Sequence, residues 1–258
     1  MILHTLYFTR NDCYRTADAI TPQGVMLHST GADNPWLSRY LAPDDGRIGT
    51  PSGNHWNQPG KLCVHAFIGK LADGTVASYQ VLPWYMRSWH CGRGVRGSAN
   101  DTHISIEICE DGLDDPVYFR AVYREAVELT AHLCRSFGWD PQEDGRVLCH
   151  QEGHRRGVAS NHGDVLHWFP RFGKTMDDFR ADVARELEED MLTEEKIRAI
   201  VREEIKAVEA ERAAQPPSPW AKELLEEAKR KGITDGTRPQ NYATRQEVAL
   251  MVNAASKA

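Results

Sequence analysis

The chain has no apolar run long enough to cross a bilayer, which takes roughly 18 residues or more, and its mean hydropathy is −0.55. No membrane span is expected. It has no excess of positive charge: 31 Lys and Arg stand against 37 Asp and Glu, for a net charge of −6. A duplex nucleic-acid binder shows a basic face, so no nucleic-acid partner is expected either. None of the six cysteines is spaced Cys-x-x-Cys, which removes the usual metal and redox signatures. Met1 to Arg10 holds no basic segment followed by a long apolar stretch, so it does not read as a secretory signal. Synthesis in the cytoplasm with reduced thiols is the expectation. Histidine is absent from the last 91 residues. All eleven lie between His4 and His167, and the cysteines lie between Cys13 and Cys149. Any chemistry is therefore expected in the front two-thirds.

What is present is enough for a packed core. The chain has 258 residues, 41% of them hydrophobic, with seven Trp, eight Tyr and seven Phe. That length suits one fair-sized domain with a small appendix. Short apolar runs predict strands over 24–28, 62–68, 76–82, 103–109 and 147–149. In the fourth, Ile104, Ile106 and Ile108 face one way and Ser105, Glu107 and Cys109 the other. Ala42–Gly46 and Gly49–Asn54 read as loops. Apolar residues at 119, 122, 126, 129, 133 and 137 predict a helix between Pro116 and Gly138. Another helix is expected over 176–187, capped by Thr175. Strands flanked by helices make an α/β domain over about residues 1–190.

The tail differs in character. Residues 193–212 are highly charged, with Ile197, Val201, Ile205 and Val208 on one side. This predicts a helix with a thin apolar seam, fit for a linker or for pairing as a homodimer. Residues 191–217 are read as a helical linker ending in a Pro-rich stretch. A helix to Lys231, stopped by Gly232, and another opened by the capping box Thr244-Arg-Gln-Glu247 make a helix–loop–helix over 218–258.

Three places carry groups of catalytic type. His28-Ser-Thr30 follows the first strand. Glu107 lies on the polar face of an otherwise apolar strand. Residues 149–170 hold His150, His154, His162, Asp164 and His167. Imidazoles and carboxylates that converge suit Zn²⁺, whose catalytic sites use three protein ligands and leave a place for water. A nearby carboxylate outside the ligand set can take the water's proton. The same residues also have plainer readings, as hydrogen-bonded strand-end histidines or a solvated acid.

From Gly24 to Phe179 the chain resembles the zinc-dependent N-acetylmuramoyl-L-alanine amidases of the type-2 class. These include phage endolysins and share a fold with peptidoglycan recognition proteins. The resemblance lies in Val25-Met-Leu-His-Ser-Thr30, Val64-His-Ala-Phe-Ile-Gly69, Asp73-Gly-Thr75 with Tyr79-Gln-Val-Leu-Pro83, Ser88-Trp-His-Cys-Gly92, Ile104-Ser-Ile-Glu107 and Leu148-Cys-His150, in that order. It implies a central mixed β-sheet flanked by helices, with peptidoglycan as substrate. It implies Zn²⁺ on His28 and His150 and Glu107 as general base. The family's third ligand is Asp or Cys, two residues after a Lys or Thr that helps hold the oxyanion. Here His162-Gly-Asp164 fits that spacing, making Asp164 the ligand and His162 the oxyanion partner. A histidine in place of the lysine is a departure, and it leaves His162 and His167 as alternative ligands.

His65 and His90 match positions lining the family's cleft, as substrate contacts or as structural imidazoles. Trp36 and Trp56 suit sugar rings, or core filling. In the tail, Trp220-Ala, Gly232–Pro239 and Ala243–Glu247 resemble one S-layer-homology-type repeat, which implies binding to a cell-wall polymer. The reading as a whole is a phage or prophage lysin acting at the wall after release. Its rivals are a non-catalytic peptidoglycan-binding protein and a Cys–His hydrolase using Cys149 or Cys109.

Overall fold

The computed structural model describes residues 1–42, 55–60 and 62–257. The loops expected at 43–46 and 49–54 lie outside the described residues. Two compact units emerge, Met1–Glu189 and a second from Asp190 onward.

In chain order the elements are β1 (Leu3–Thr5), α1 (Asp12–Thr16), β2 (Gly24–Ser29), β3 (Ala66–Lys70), β4 (Val76–Gln80), β5 (His103–Ile108), α2 (Pro116–Phe137), β6 (Val147–Cys149), α3 (His150–Arg155), α4 (Met176–Ala214), α5 (Lys222–Arg230) and α6 (Arg245–Ala255). The six strands form one sheet in the order β1-β4-β3-β5-β2-β6. Only β3 and β4 run antiparallel; the other pairs are parallel. The mixed sheet flanked by helices is thus the expected fold class.

The centre of the sheet follows from side-chain alternation. Val25, Leu27, Ala66, Ile68, Ile104, Ile106 and Ile108 pack against the buried stripe of α2, from Tyr118 and Phe119 to Leu133. Asp115 caps α2 by accepting from the backbone N–H groups of Val117 and Tyr118 at 2.8 and 3.1 Å. Pro116 sits in its first turn, where no N–H is needed. Gly138 ends it in the left-handed region at φ 69°, which costs glycine little. At Gly24 a Cβ would stand 2.2 Å from the Arg146 carbonyl oxygen, so only glycine lets β2 and the approach to β6 lie this close.

Three expectations change. The strand expected over 62–68 begins only at Ala66, because Cys63 pairs instead with Trp89 in an isolated bridge. The backbone of His65 is shared, its N–H donating to Ser105 and its carbonyl accepting from Val81. The helices expected over 176–187 and 193–212 are one, α4. No Gly or Pro interrupts residues 176–214. Its start buries Phe179 and Val183 in the sheet's core. Farther along, Ile197, Ile200, Val201, Ile205 and Val208 are all exposed. Finally, α3 opens directly after β6, where no helix was expected.

In the second unit, α6 carries the expected capping box. Glu247 N–H donates to Thr244 Oγ1 at 3.1 Å, and Thr244 N–H donates back to Glu247 Oε2 at 2.7 Å. The Arg212 guanidinium lies 4.2 Å over the Tyr242 ring. No helix among the described residues is long and apolar enough to cross a membrane.

Candidate metal centre and active site

The site forms at the C-terminal edge of the sheet. His28 is the fifth residue of β2, and His150 opens α3 immediately after β6. Both strands lie side by side, Leu27 opposite Cys149, so the two histidines emerge together. Asp164 arrives from the segment after α3. The next residue, Val165, is held in the left-handed region at φ 60°, a costly conformation for a β-branched side chain. Complete burial of Val165 in the core offsets that strain, and the Val165 N–H donates to Ser29 Oγ at 3.3 Å.

His28 Nδ1, His150 Nδ1 and Asp164 Oδ2 form a nearly equilateral triangle, with edges of 3.0, 3.0 and 3.1 Å. Among the described residues these three are the group of potential metal ligands that converge, within 4.8 Å of one another. Tetrahedral zinc with bonds of about 2.0–2.1 Å would set such atoms roughly 3.3 Å apart, so the donor set fits the ion. The far ring nitrogens are occupied as well. His28 Nε2 lies 2.8 Å from His90 Nδ1, and His150 Nε2 lies 3.2 Å from Ser160 Oγ. Ser160 in turn donates to the Cys91 carbonyl at 3.0 Å. Were Nδ1 of each ring to face a metal, Nε2 would carry the proton and donate outward, an arrangement that sets ring orientation.

Electrostatics agree with a cation site. Burial pushes His28 down, so its imidazole is held neutral. For Asp164, burial pushes the carboxyl up, but the hydrogen bonds with His150 and His28 outweigh it and hold the group well below the usual range. Three electron-rich atoms meeting in a half-buried place are what a divalent ion relieves.

Glu107 stands directly across from His28, in register on the adjacent parallel strand, and Phe67 lies on its other side. Among the described residues no donor reaches its carboxylate. Burial, then the negative charges of Asp164 and Glu110, push its pKa well above the ordinary value. That is the environment of a carboxyl able to take and return a proton near neutrality. His162 is exposed, and its ring stacks on His150 with centroids 4.9 Å apart. It stands beside the triangle and is not part of it. His167 is engaged elsewhere, 2.9 Å from the buried Glu110.

The remaining candidates divide. His90 lies against His28, and Asn100 Oδ1 accepts from the His90 backbone N–H at 2.8 Å. His65 is wholly enclosed, with Nδ1 3.0 Å from Ser105 Oγ and Nε2 2.8 Å from the Met86 carbonyl. Trp56 is half-buried and packs edge-on against Phe67 at 5.0 Å. Trp36 is half-buried with the Lys70 ammonium 5.8 Å over its ring. Sequence reasoning missed the supports of the site. Cys149 N–H donates to Glu152 Oε2 at 3.1 Å, and Arg180 grips Glu152 at 3.0 and 3.1 Å while donating to the Val147 carbonyl at 2.7 Å. These bonds pin the start of α3, and with it His150, to α4. Nothing local marks Arg180, which lies 28 residues from its partner.

The sequence model of the N-acetylmuramoyl-L-alanine amidase family matches residues 18–165, more than half of the chain. The chain belongs to that family, and it is an amidase. Among similar solved structures is the PlyG catalytic domain in solution, 19% identical, covering 72% of this chain and 96% of that one with a TM-score of 0.50. Others are the catalytic domain of XlyA, 20% identical, with coverages of 71% and 99% and a TM-score of 0.48, and the Staphylococcus aureus hydrolase AmiA in complex with its ligand, 19% identical, with coverages of 74% and 85% and a TM-score of 0.49. At these identities the likeness concerns the fold alone. No curated protein matches the chain.

Proposed function

We propose that the chain hydrolyses the amide bond joining N-acetylmuramic acid to L-alanine in peptidoglycan, with Zn²⁺ held by His28, His150 and Asp164. The observation that carries this reading is the triangle of two imidazole nitrogens and one carboxylate oxygen, with Glu107 in register beside His28. When bound, zinc supplies Lewis-acid chemistry, acidifying a water and polarising the scissile carbonyl. Glu107 takes the water's proton and returns it to the leaving amine. Its raised pKa suits both halves of that exchange. His162 donates an N–H to the oxygen that gains charge in the tetrahedral state. His90 and Ser160 keep the two ligand rings in place.

The rival readings have less support. Burial pushes the Cys149 thiol up to about 12, and burial pushes Cys109 well above the usual thiol range. Neither offers a thiolate at neutral pH. A binding-only protein would have no need of the complete ligand set with an acid beside it. Dye release from labelled peptidoglycan tests the choice. Loss of activity with a chelator and recovery with added zinc supports the metal reading. Loss only with iodoacetamide contradicts it.

For the second unit we propose attachment to a cell-wall polymer. A cavity of about 650 Å³ lined by Leu225, Ile233, Leu250, Met251, Arg238 and Tyr242 supports this, since it offers both apolar and cationic contacts. Full-length Tyr242→Ala and Arg238→Ala variants should sediment less with purified walls than the parent chain. Equal sedimentation would remove the proposal. An endolysin acting at the wall is the biological setting that fits both units.

A further inference from the structure

Beyond the packed start of α4, every residue from Glu195 to Glu211 is exposed. Within that stretch Ile197, Ile200, Val201, Ile205 and Val208 are 49–62% exposed. They form one stripe, because side chains three and four apart share a helix face. A helix in a protein draws most of its stability from packing such a face. A contiguous exposed apolar stripe marks a contact surface.

The order of the residues says what fits it. Ile197 and Val208 stand equally far from the midpoint between Arg202 and Glu203, and so do Ile200 and Ile205. The apolar pattern therefore reads alike in both directions. A second copy laid antiparallel, about a two-fold axis at that midpoint, meets apolar with apolar along the stripe, and the contact closes on itself. Charge separates this pair from a parallel one. In the first half, Lys196, Arg198 and Arg202 stand against Glu195. In the second, Glu203, Glu204, Glu209 and Glu211 stand against Lys206. An antiparallel pair puts each basic half beside an acidic half. A parallel pair puts like charge on like, which opposes binding and selects against that orientation. The segment is about 25 Å long at the rise of an α-helix. Pairing it buries on the order of 1,000 Å², the lower bound for a specific interface, so the dimer is expected to be reversible.

We propose that residues 195–211 of α4 are a dimerisation surface, covered by the same segment of a second copy running antiparallel. Each particle then carries two candidate metal centres and two tail units. On the reading of the tail as wall-attaching, two weak attachments to one surface add up to a stronger one. The pairing itself is measured without walls, so its outcome is independent of that reading.

Sedimentation equilibrium of the full chain tests the pairing. Between roughly 1 and 100 µM, the range in which a small reversible interface titrates, the mass should rise from one chain toward two. Val201→Glu combined with Ile205→Glu should stay at the mass of one chain throughout, with an unchanged melt, since both side chains are exposed. Introduced thiols read the orientation, the six native ones being buried. Under mild oxidation, Ile197→Cys mixed with Val208→Cys should cross-link, and neither should cross-link alone. A mass of one chain at every concentration would overturn the proposal. So would a dimer that survives Val201→Glu with Ile205→Glu, or Ile197→Cys linked to itself, the mark of a parallel pair.

Discussion

His28 and Glu107 are register partners on neighbouring parallel strands, so the proposed ligand and the proposed base are set by a single backbone pairing. Side chains at paired positions of a parallel ladder project to the same face. A slip of one residue would send Glu107 into the isoleucine core and leave His28 alone at the edge.

This pairing makes Glu107→Gln a clean substitution. The carboxamide is nearly the same size and makes no demand on the ladder. Turnover on labelled peptidoglycan should fall by about 10²–10⁴-fold, the range for loss of a general base. Bound zinc and melting temperature should be unchanged. Full activity in this variant would remove Glu107 from the mechanism.

His162 makes a different prediction, because it is exposed and lies outside the donor triangle. His162→Ala should lower kcat by about 10²-fold, as loss of an oxyanion donor does, with KM little changed and zinc retained. Kinetics on a soluble muramoyl-peptide fragment would show this. An unchanged kcat would assign the oxyanion contact to another group.

Arg180 tests whether the start of α3 is held from α4. Arg180→Met removes the grip on Glu152 and the bond to the Val147 carbonyl, while keeping the aliphatic stem. Zinc affinity should weaken by about 10-fold or more, as when support behind a ligand is lost. Competition with a fluorescent chelator measures this. Unaltered affinity would show that β6 alone positions His150.

His65 predicts a pH dependence of stability. Burial holds its folded pKa down at about 4, against 6.5 for the ordinary group. The unfolded chain therefore binds the extra proton between those values. Stability from this residue is complete above pH 6.5 and is lost as pH falls toward 4. The full loss is on the order of 3 kcal/mol. Denaturant unfolding at several pH values should show a decline across this window that is flatter in His65→Gln.

The framework that carries the candidate site was legible because its parts sit on regular elements. The alternation of Ile104, Ile106 and Ile108 fixes which way Glu107 faces, and the Asp115-Pro116 cap with Gly138 bounds α2. The short or tertiary features were not legible. β1 has three residues and gains its form from pairing with β4. α3 has six residues and begins at a proposed metal ligand, so His150 reads as the end of a strand. The division between His65 and His90 rests on what each ring meets: Ser105 and Met86 for one, His28 for the other. Those partners lie 40, 21 and 62 residues away in sequence, and no local pattern records them.

His28, His150 and Asp164 are proposed to hold one zinc ion together. Metal analysis of the full chain beside Asp164→Ala, His162→Ala and His167→Ala tests it most directly. One zinc per chain is expected in the parent, in His162→Ala and in His167→Ala, and its loss in Asp164→Ala. Stoichiometric zinc in Asp164→Ala, with loss in either histidine variant, would contradict it.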